Sequence, residues 1–338
     1  MLINGIFIIN SYYVIICLLI LKMIQRVDEL KRKHHRALVQ IFFFILINYI
    51  YIDREISLGE NLIPLLNEYA IKTISPIQGV EYFYTFITKE VFTRDFLLPS
   101  LIIMSTVCIL GIFFGPVLCG WVCPLGSFQD LISRLGKKLF KDKYDNFVKP
   151  SIDKGLRLLR IISLLFVITA LIFNITDVGK YDPAKAMYNI FVGKFETAGL
   201  IVLLIATVFS LFIKRPYCRY LCPYGALVGF SNLIRIFTIR RNPDRCSDCN
   251  KCNHACPMKL YPGKASELRD VQCISCLECT SEQQCPHEKA LEFSVKLGKK
   301  TVKMPFSVLF AIVLCVILGV ILITSTFAYW PFLKKSLY

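Results

Sequence analysis

Long blocks of apolar residues constrain the fold of this chain more than any other feature. Six runs are long enough, or nearly so, to cross a membrane as helices: residues 2–21, 37–52, 96–118, 161–175, 199–213 and 305–333. None of these runs contains a lysine, arginine, aspartate or glutamate. Hydrophobic residues make up 55% of the chain, too many for an ordinary soluble domain. The sequence therefore predicts a polytopic membrane protein with about six transmembrane helices.

The basic residues predict the orientation of these helices. The net charge is +16, and segments 22–36, 134–160 and 214–303 hold 6, 9 and 16 of the 40 lysines and arginines. Cytoplasmic loops carry such an excess, so these three segments are predicted to lie inside and both termini outside. Because this orientation signal accounts for the charge, we do not predict a nucleic-acid partner.

The cysteines and histidines indicate which redox groups the chain could bind. Of the 15 cysteines, all that cluster fall on the predicted cytoplasmic side, where reducing conditions favour metal ligation over disulfides. The four histidines, His34, His35, His254 and His287, all lie outside the predicted spans. A haem held by two intramembrane histidines is therefore not expected, and sulfur is the expected ligand.

A short region rich in cysteine, proline and charge, residues 242–298, interrupts the apolar blocks. It contains CSDCNKCNHACP and CISCLECTSEQQCP, that is, two runs of three cysteines spaced by two residues, each followed by a cysteine before proline. In two-cluster ferredoxins the cysteine before proline binds the other cluster. One [4Fe-4S] cluster is thus assigned to Cys246, Cys249, Cys252 and Cys285, and the second to Cys273, Cys276, Cys279 and Cys256. A pair of structural zinc sites is the alternative, although zinc usually pairs two CxxC units across a loop.

Two further cysteine pairs follow the third and fifth apolar runs. CGWVCPLG begins at Cys119 and CRYLCPYG at Cys218, and both share the pattern CxxxCPxG. This repeat predicts two parallel two-helix halves whose shared site lies between them. Cysteines four residues apart lie on one helical face, and the proline is expected to stop or kink the helix. Cys119, Cys123, Cys218 and Cys222 are therefore predicted to converge, as ligands of a third iron-sulfur cluster, as a thiol relay or transient metal site, or only as packed residues at helix ends.

Other polar or thiol side chains within the spans have simpler interpretations. Cys17, Cys108 and Cys315 stand alone, and we expect them to pack as small apolar side chains. Gln40 and Asn48 in the second span could contact a quinone or hydrogen-bond a neighbouring helix, and the second role is the more common one.

The predicted architecture is an all-α polytopic membrane protein with a small cytoplasmic α+β domain similar to bacterial ferredoxins. Its predicted parts are a first helix and basic loop (1–36), a first repeat ending in CxxxCP (37–133), a basic loop and second repeat ending in CxxxCP (134–235), a ferredoxin-like module (236–300) and a last helix (301–338).

These motifs resemble a known family. CGWVCPLGSFQD and CRYLCPYGA, followed by the two-cluster module, are similar to the NapH/NosR-type family of membrane-bound polyferredoxins over residues 96–286. The resemblance implies electron transfer between the quinone pool and a partner reductase or maturation system. It also carries the eight module cysteines and the four CxxxCP cysteines over as the expected functional residues.

We therefore expect an electron-transfer subunit of a multi-subunit complex in a bacterial or archaeal cytoplasmic membrane. Its cofactors would be two [4Fe-4S] clusters and a third at the CxxxCP pairs, and its partners a redox protein and a quinone. No acid or base residue is required for such a role. The alternative is an assembly factor that reduces a metal or a thiol while another respiratory enzyme matures.

Overall fold

The computed structural model describes residues 35–56, 77, 80–81, 84, 105–173, 177–193, 195–281, 284–287, 290–297, 300–304, 308–309, 311–316 and 319. The first predicted span, with Cys17, lies outside the described residues, as do most of the segment between the second and third spans and most of the last span.

Helices of very different length form much of the described part. They are α1 (His35–Ile56), α2 (Ser105–Phe114), α3 (Val117–Trp121), α4 (Pro124–Phe140), α5 (Pro150–Leu156), α6 (Leu159–Ile172), α7 (Pro183–Val192), α8 (Thr197–Ser210), α9 (Pro216–Tyr220), α10 (Pro223–Gly229) and α11 (Lys251–Ala255). Among these helices, α4, α5, α7, α9 and α10 begin with proline, whose missing N–H costs nothing in the first turn.

The helices include one clear candidate for a membrane span. Pro150–Phe173, which joins α5 and α6, has 24 residues and is long and apolar enough to cross a membrane. A second candidate is the pair α7 and α8, bent by 109°, as in a broken span or a re-entrant loop. The helix through the fourth predicted run thus begins at Pro150, within a segment expected to be a basic loop. Arg36–Tyr49 and Ser105–Phe114, in the second and third runs, are apolar but shorter helices. The described residues therefore do not establish six spans.

Helix α4 lies at the centre of the helical part, between α1 and α8, while α10 packs on α6. A side chain at Gly136 of α4 would come within 2.2 Å of the carbonyl oxygen of Leu211, so glycine is what allows this close approach to the end of α8. The outward faces of α6 and α8 are apolar and exposed, as Phe166 and Leu204 illustrate.

The cysteine module contains a four-stranded antiparallel sheet. Its strands are β1 (Thr238–Arg241), β2 (Glu267–Leu268), β3 (Leu291–Leu297) and β4 (Lys300–Lys303), in the order β2-β1-β3-β4. Ile239 of β1 pairs with Phe293 of β3, and both side chains are buried. One continuous apolar core joins this sheet and its cysteines to the helices. The fold is therefore mostly helical with a small antiparallel sheet, which agrees with the predicted helical part plus α+β module.

Candidate metal centres

The first set of module cysteines lies at the solvent-exposed side of the module. Four cysteines, together with Gly263 and Leu291, line one cavity; these are Cys246, Cys249, Cys252 and Cys285, hereafter the exposed module site. Cys249 is exposed, whereas Cys252 is buried. Cys285, which follows the second run of cysteines, thus lies with the three cysteines of the first run, as the spacing predicts. That these thiols bind a metal stays a prediction.

Gly263 allows the backbone to approach this site closely. Its N–H donates to Asn253 Oδ1 at 2.8 Å, and a Cβ atom at this position would lie 2.9 Å from Cys252 Sγ. Such a distance is too short for a carbon and a sulfur that are not bonded, so any side chain here would displace the thiol.

Replacement of Gly263 by alanine is therefore expected to lower the iron content of the exposed module site, by up to about 4 iron atoms per chain. Iron and acid-labile sulfide measured on anaerobically purified protein would show this loss. Gly155→Ala, with no atom within 4 Å of the new Cβ, is the matched control. Unchanged iron in the Gly263 variant would mean that this loop does not border a cluster.

The second set of cysteines is buried inside the module. Each of Cys256, Cys273, Cys276 and Cys279, hereafter the buried module site, is at most 8% exposed. The Cys256 and Cys279 thiols interact electrostatically with each other and with those of Cys273 and Cys276, so the four lie together. Helix α11 carries Cys252 and is followed directly by Cys256, so the two module sites are neighbours.

Burial raises the pKa of the Cys256, Cys276 and Cys279 thiols, so these three are neutral when no metal is bound. Burial, together with the nearby Cys276 and Cys273, raises the pKa of Cys256 to about 12. Iron binds the thiolate, so loading of this site must release protons and becomes more favourable as the pH rises.

A buried arginine points at the same site. Arg235, with no exposed surface, donates from Nη1 to Ser275 Oγ at 3.1 Å and lies 3.6 Å from Cys273 Sγ. Its Nη2 donates to Thr238 Oγ1 at 3.0 Å and to the carbonyl oxygen of Leu268. N–H groups directed at ligand sulfurs stabilise the more negative, reduced form of an iron-sulfur cluster.

The two CxxxCP motifs adopt the same local structure. In each copy the first cysteine lies in a five-residue helix, α3 or α9, and the second caps the next helix, α4 or α10, which begins with the proline. The N–H groups of Cys123 and Cys222 both donate to the carbonyl oxygen five residues earlier, at 2.9 Å. The expectation that both cysteines lie on one helical face was wrong, because each pair straddles a break between two helices. The proline begins the second helix at the position that suits it.

The four CxxxCP cysteines nevertheless converge. Cys119, Cys123, Cys218 and Cys222 line one cavity, hereafter the CxxxCP site, with an almost wholly apolar surface. Cys222 Sγ accepts a hydrogen bond from Gly225 N–H at 3.2 Å, and Gln129 Nε2 lies 3.6 Å from Cys218 Sγ. In the part of the chain that is described, no three Cys, His, Asp or Glu side chains lie close enough to hold a single metal ion.

A buried ion network holds the two motifs against each other. Arg215, fully buried before α9, donates from Nε and Nη2 to both oxygens of Asp130 at 2.8 and 2.6 Å, and from Nη1 to the Cys119 carbonyl at 2.8 Å. Arg36 of α1 donates to the same carboxylate at 2.6 Å and to Glu278 at 3.0 Å. Burial would raise the pKa of Asp130, but Arg215 and Arg36 outweigh it and hold this pKa below its usual range.

The CxxxCP site and the buried module site are in direct contact. Ile274, between Cys273 and Cys276, lines the CxxxCP cavity. A Cβ atom at Gly120 would lie 2.6 Å from the Ile274 carbonyl oxygen, and Trp121 Nε1 donates to the Ser275 carbonyl at 3.1 Å. The loop of the first CxxxCP motif therefore packs on the loop that carries two cysteines of the buried module site.

Sequence reasoning missed the arginines of these sites. In the sequence, Arg36, Arg160, Arg215 and Arg235 indicate only the orientation of the helices. In the structure, Arg160, Arg215 and Arg235 are at most 3% exposed and lie beside cysteines. Nothing in their spacing separates them from the solvated basic residues nearby, so only the packing reveals them.

The isolated polar and thiol residues also differ in part from expectation. Gln40 is buried and donates to Asp130 at 2.8 Å and to the Gly120 carbonyl at 3.2 Å, so it bonds neighbouring elements. Asn48 donates within its own helix, to the Phe44 carbonyl. Cys108 and Cys315 are exposed, and the expectation that they pack as small apolar side chains within membrane spans stays a prediction.

The chain is similar to several known proteins. A family model described as a 4Fe-4S binding domain matches it twice, at residues 96–141 and 195–241, which contain the two CxxxCP motifs. The putative electron transport protein YccM of Escherichia coli is 32% identical over 58% of this chain and 56% of its own length. The ferredoxin-type protein NapH of Haemophilus influenzae is 29% identical over 59% of this chain and 70% of its own length.

The regulatory protein NosR of Stutzerimonas stutzeri is 24% identical over 70% of this chain, but only 34% of NosR is covered. The chain thus spans little more than half of YccM and about a third of NosR. No solved structure matches it significantly. The doubled 4Fe-4S match, at the motifs on which the resemblance rests, supports iron-sulfur clusters as the cofactors. The chain belongs to the NapH/NosR-type family of membrane-bound polyferredoxins.

Proposed function

We propose that this chain is a membrane-bound electron-transfer subunit in which three iron-sulfur sites form one path. The path runs from the exposed module site, through the buried module site, to the CxxxCP site. The observation that carries the proposal is the position of Ile274, which separates two cysteines of the buried module site and also lines the CxxxCP cavity. One peptide segment thus borders both sites, and an electron could pass between them without crossing solvent.

The side chains fit the clusters that the proposal requires. Four cysteines line one cavity at the exposed module site and at the CxxxCP site, and four cysteines lie near one another at the buried module site; four cysteines are the usual donor set of a [4Fe-4S] cluster. When bound, such clusters supply one-electron transfer, while the protein supplies ligands, spacing and a low dielectric. Exposure falls from Cys249 at the exposed module site to the four buried cysteines of the next site, which suits entry or exit of electrons at the surface of the module.

The apolar helices support a position in the membrane. Helix α6 is apolar apart from Arg160, Ser163 and Thr169, and only 22% of the most hydrophobic window of Pro150–Phe173 is buried. A helix of this composition and exposure suits contact with lipid. The multi-pass topology, with the module and the basic segments on the cytoplasmic side and both termini outside, is part of this proposal.

A basic cleft beside the exposed module site suits docking of an acidic redox protein. It lies between the end of α4 and the module, and six lysines line it against two aspartates: Lys137, Lys141, Lys149, Lys214, Lys259 and Lys264, with Asp145 and Asp153. Complementary charge accelerates encounter and orients a partner. We also propose a quinone as a partner at the membrane end of the path. No residue is assigned to it, because the Gln40 amide already donates to Asp130 and to the Gly120 carbonyl.

The double variant Cys119→Ser/Cys218→Ser tests the third site. We expect about 12 iron atoms per chain in the anaerobically purified wild type and about 8 in the variant, with one component lost from the low-temperature EPR spectrum of the reduced protein. Cys108→Ser is the matched control, because Cys108 is a lone exposed cysteine on α2. This variant should leave the iron unchanged.

About 8 iron atoms in both the wild type and the double variant would contradict a cluster at the CxxxCP site. The paired cysteines would then serve as a thiol relay, as expected of an assembly factor, or only as packed residues at helix ends. Counting of reactive thiols before and after reduction would identify the relay.

A further inference from the structure

A buried arginine at the CxxxCP site carries an inference that goes beyond the ligands. Arg160, the second residue of α6, is 3% exposed and lines the cavity that contains the four CxxxCP cysteines. Arg160 belongs to neither CxxxCP motif and lies on a helix that contains none of the four cysteines.

The guanidinium of Arg160 has no counter-charge in the part of the protein that is described. Its Nε and Nη1 are both buried without a hydrogen-bond partner. Two other buried arginines, Arg215 and Arg219, are paired with carboxylates: Arg215 with Asp130, and Arg219 with Asp145 and Asp153. Burial of an unpaired charge is costly, so an anion is expected beside Arg160 in the functional protein.

The position of Arg160 indicates which anion this is. A Cβ atom at Gly225 would lie 2.5 Å from Arg160 Nη2 and 3.3 Å from Cys222 Sγ, so glycine leaves room for the guanidinium next to this cysteine. The charge of Arg160 also acts on Cys119 and Cys218. The residues that line the cavity include no carboxylate. Thiols and disulfides are neutral, whereas four thiolates around iron carry the negative charge that the site otherwise lacks.

We propose that Arg160 is the counter-charge of a thiolate-bound iron-sulfur centre at the CxxxCP site and raises its reduction potential. This inference rests on the proposed function, because it requires a metal centre at these cysteines. In the redox step the centre gains one electron from the neighbouring buried module site. No bond forms or breaks, and the charge beside Arg160 becomes more negative by one. A fixed positive charge stabilises that reduced form more than the oxidised one.

A redox titration followed by EPR tests the role of Arg160 on the full chain in detergent or lipid. The variants are Arg160→Gln, which removes the charge, and Arg160→Lys, which keeps it. Lys138→Gln removes one positive charge from an exposed position on α4 and is the control for net charge. The signals of the two module sites serve as an internal check that each variant is folded.

We expect Arg160→Gln to make reduction of the CxxxCP centre at least about tenfold less favourable, which is about 59 mV for one electron. Arg160→Lys should restore most of this loss, and Lys138→Gln should change little. Loss of the CxxxCP signal in Arg160→Gln, with its retention in Arg160→Lys, would also support the counter-charge.

Two results would overturn the inference, and they differ in what they say about the function. If the wild type shows the CxxxCP signal and Arg160→Gln leaves its potential unchanged, or if both Arg160 variants lose the signal equally, the charge has no such role while the electron path stands. If the wild type shows no third centre, both the inference and the proposed path fail.

Discussion

Replacement of Asp130 by asparagine is expected to destabilise the protein by about 3–5 kcal/mol, the usual cost of leaving a buried charge without its partner. Arg215 is 1% exposed and makes a two-pronged contact with this carboxylate, and Arg36 donates to it as well. The variant would leave two guanidinium groups without the anion that they share. The midpoint of thermal unfolding in detergent, together with the iron content, measures the effect.

The consequence of this change should extend to both iron-sulfur regions. Arg215 also donates to the Cys119 carbonyl, and Arg36 also pairs with Glu278, next to Cys279. Iron at the CxxxCP site is therefore expected to fall with the stability. Glu267→Gln is the control, because Glu267 pairs with Arg240 and Arg269 where all three are partly exposed, and such surface pairs contribute about 0–1 kcal/mol. Equal midpoints for the two variants would contradict a structural role for the Asp130 network.

Replacement of Gly120 by alanine is expected to separate the CxxxCP loop from the module. The new Cβ would lie 2.6 Å from the Ile274 carbonyl oxygen, and 3.1 and 3.2 Å from Cys276 Cα and N. All three atoms belong to the backbone, so no side chain can rotate away to relieve the clash. Overpacking of this kind costs about 1–3 kcal/mol. We expect a lower unfolding midpoint and slower reduction of the CxxxCP centre from the module, followed by rapid-freeze EPR.

Gly155→Ala provides the matched control for this variant. Gly155 lies in α5 with no atom within 4 Å of the new Cβ, and alanine favours a helix over glycine by about 0.5–1 kcal/mol. The control should therefore be as stable as the wild type or slightly more so. If Gly120→Ala behaved like this control, the two loops would not be in contact and the proposed path would lose its main support.

The ligand sets of the two module sites could be predicted without a structure, because the cysteines that bind a cluster follow a characteristic spacing. Three cysteines two residues apart suit one side of a cluster, so the spacing predicts CSDCNKC and CISCLEC as ligand runs, and the proline after each of Cys256 and Cys285 predicts that these two cysteines bind the opposite cluster. The structure brings the same residues together in the two module sites. The repeat of CxxxCPxG likewise predicted that its four cysteines share one space, and they do.

The geometry within each CxxxCP motif could not be predicted correctly in the same way. The interval of four residues suggested one continuous helix, but the N–H of Cys123 bonds to the carbonyl five residues earlier and a new helix begins at Pro124. A proline inside a helical pattern is compatible with a kink, a stop or a restart. In the first motif a new helix begins at Pro124, and Gly120 and Trp121, just before the break, pack on the module.

Three properties of this protein are determined by the sequence itself: apolar runs without charge, basic segments between them, and cysteines with the spacing typical of iron-sulfur proteins. These properties depend on composition and local spacing, which a linear pattern records. The tertiary structure decided which arginines are buried, that Asp130 joins Arg36 to Arg215, and that Ile274 borders two sites at once. Those facts arise from contacts between residues that are far apart in the sequence, such as Arg36 and Asp130, which are 94 positions apart. Burial of a charge depends on what surrounds it in space and not on its neighbours along the chain.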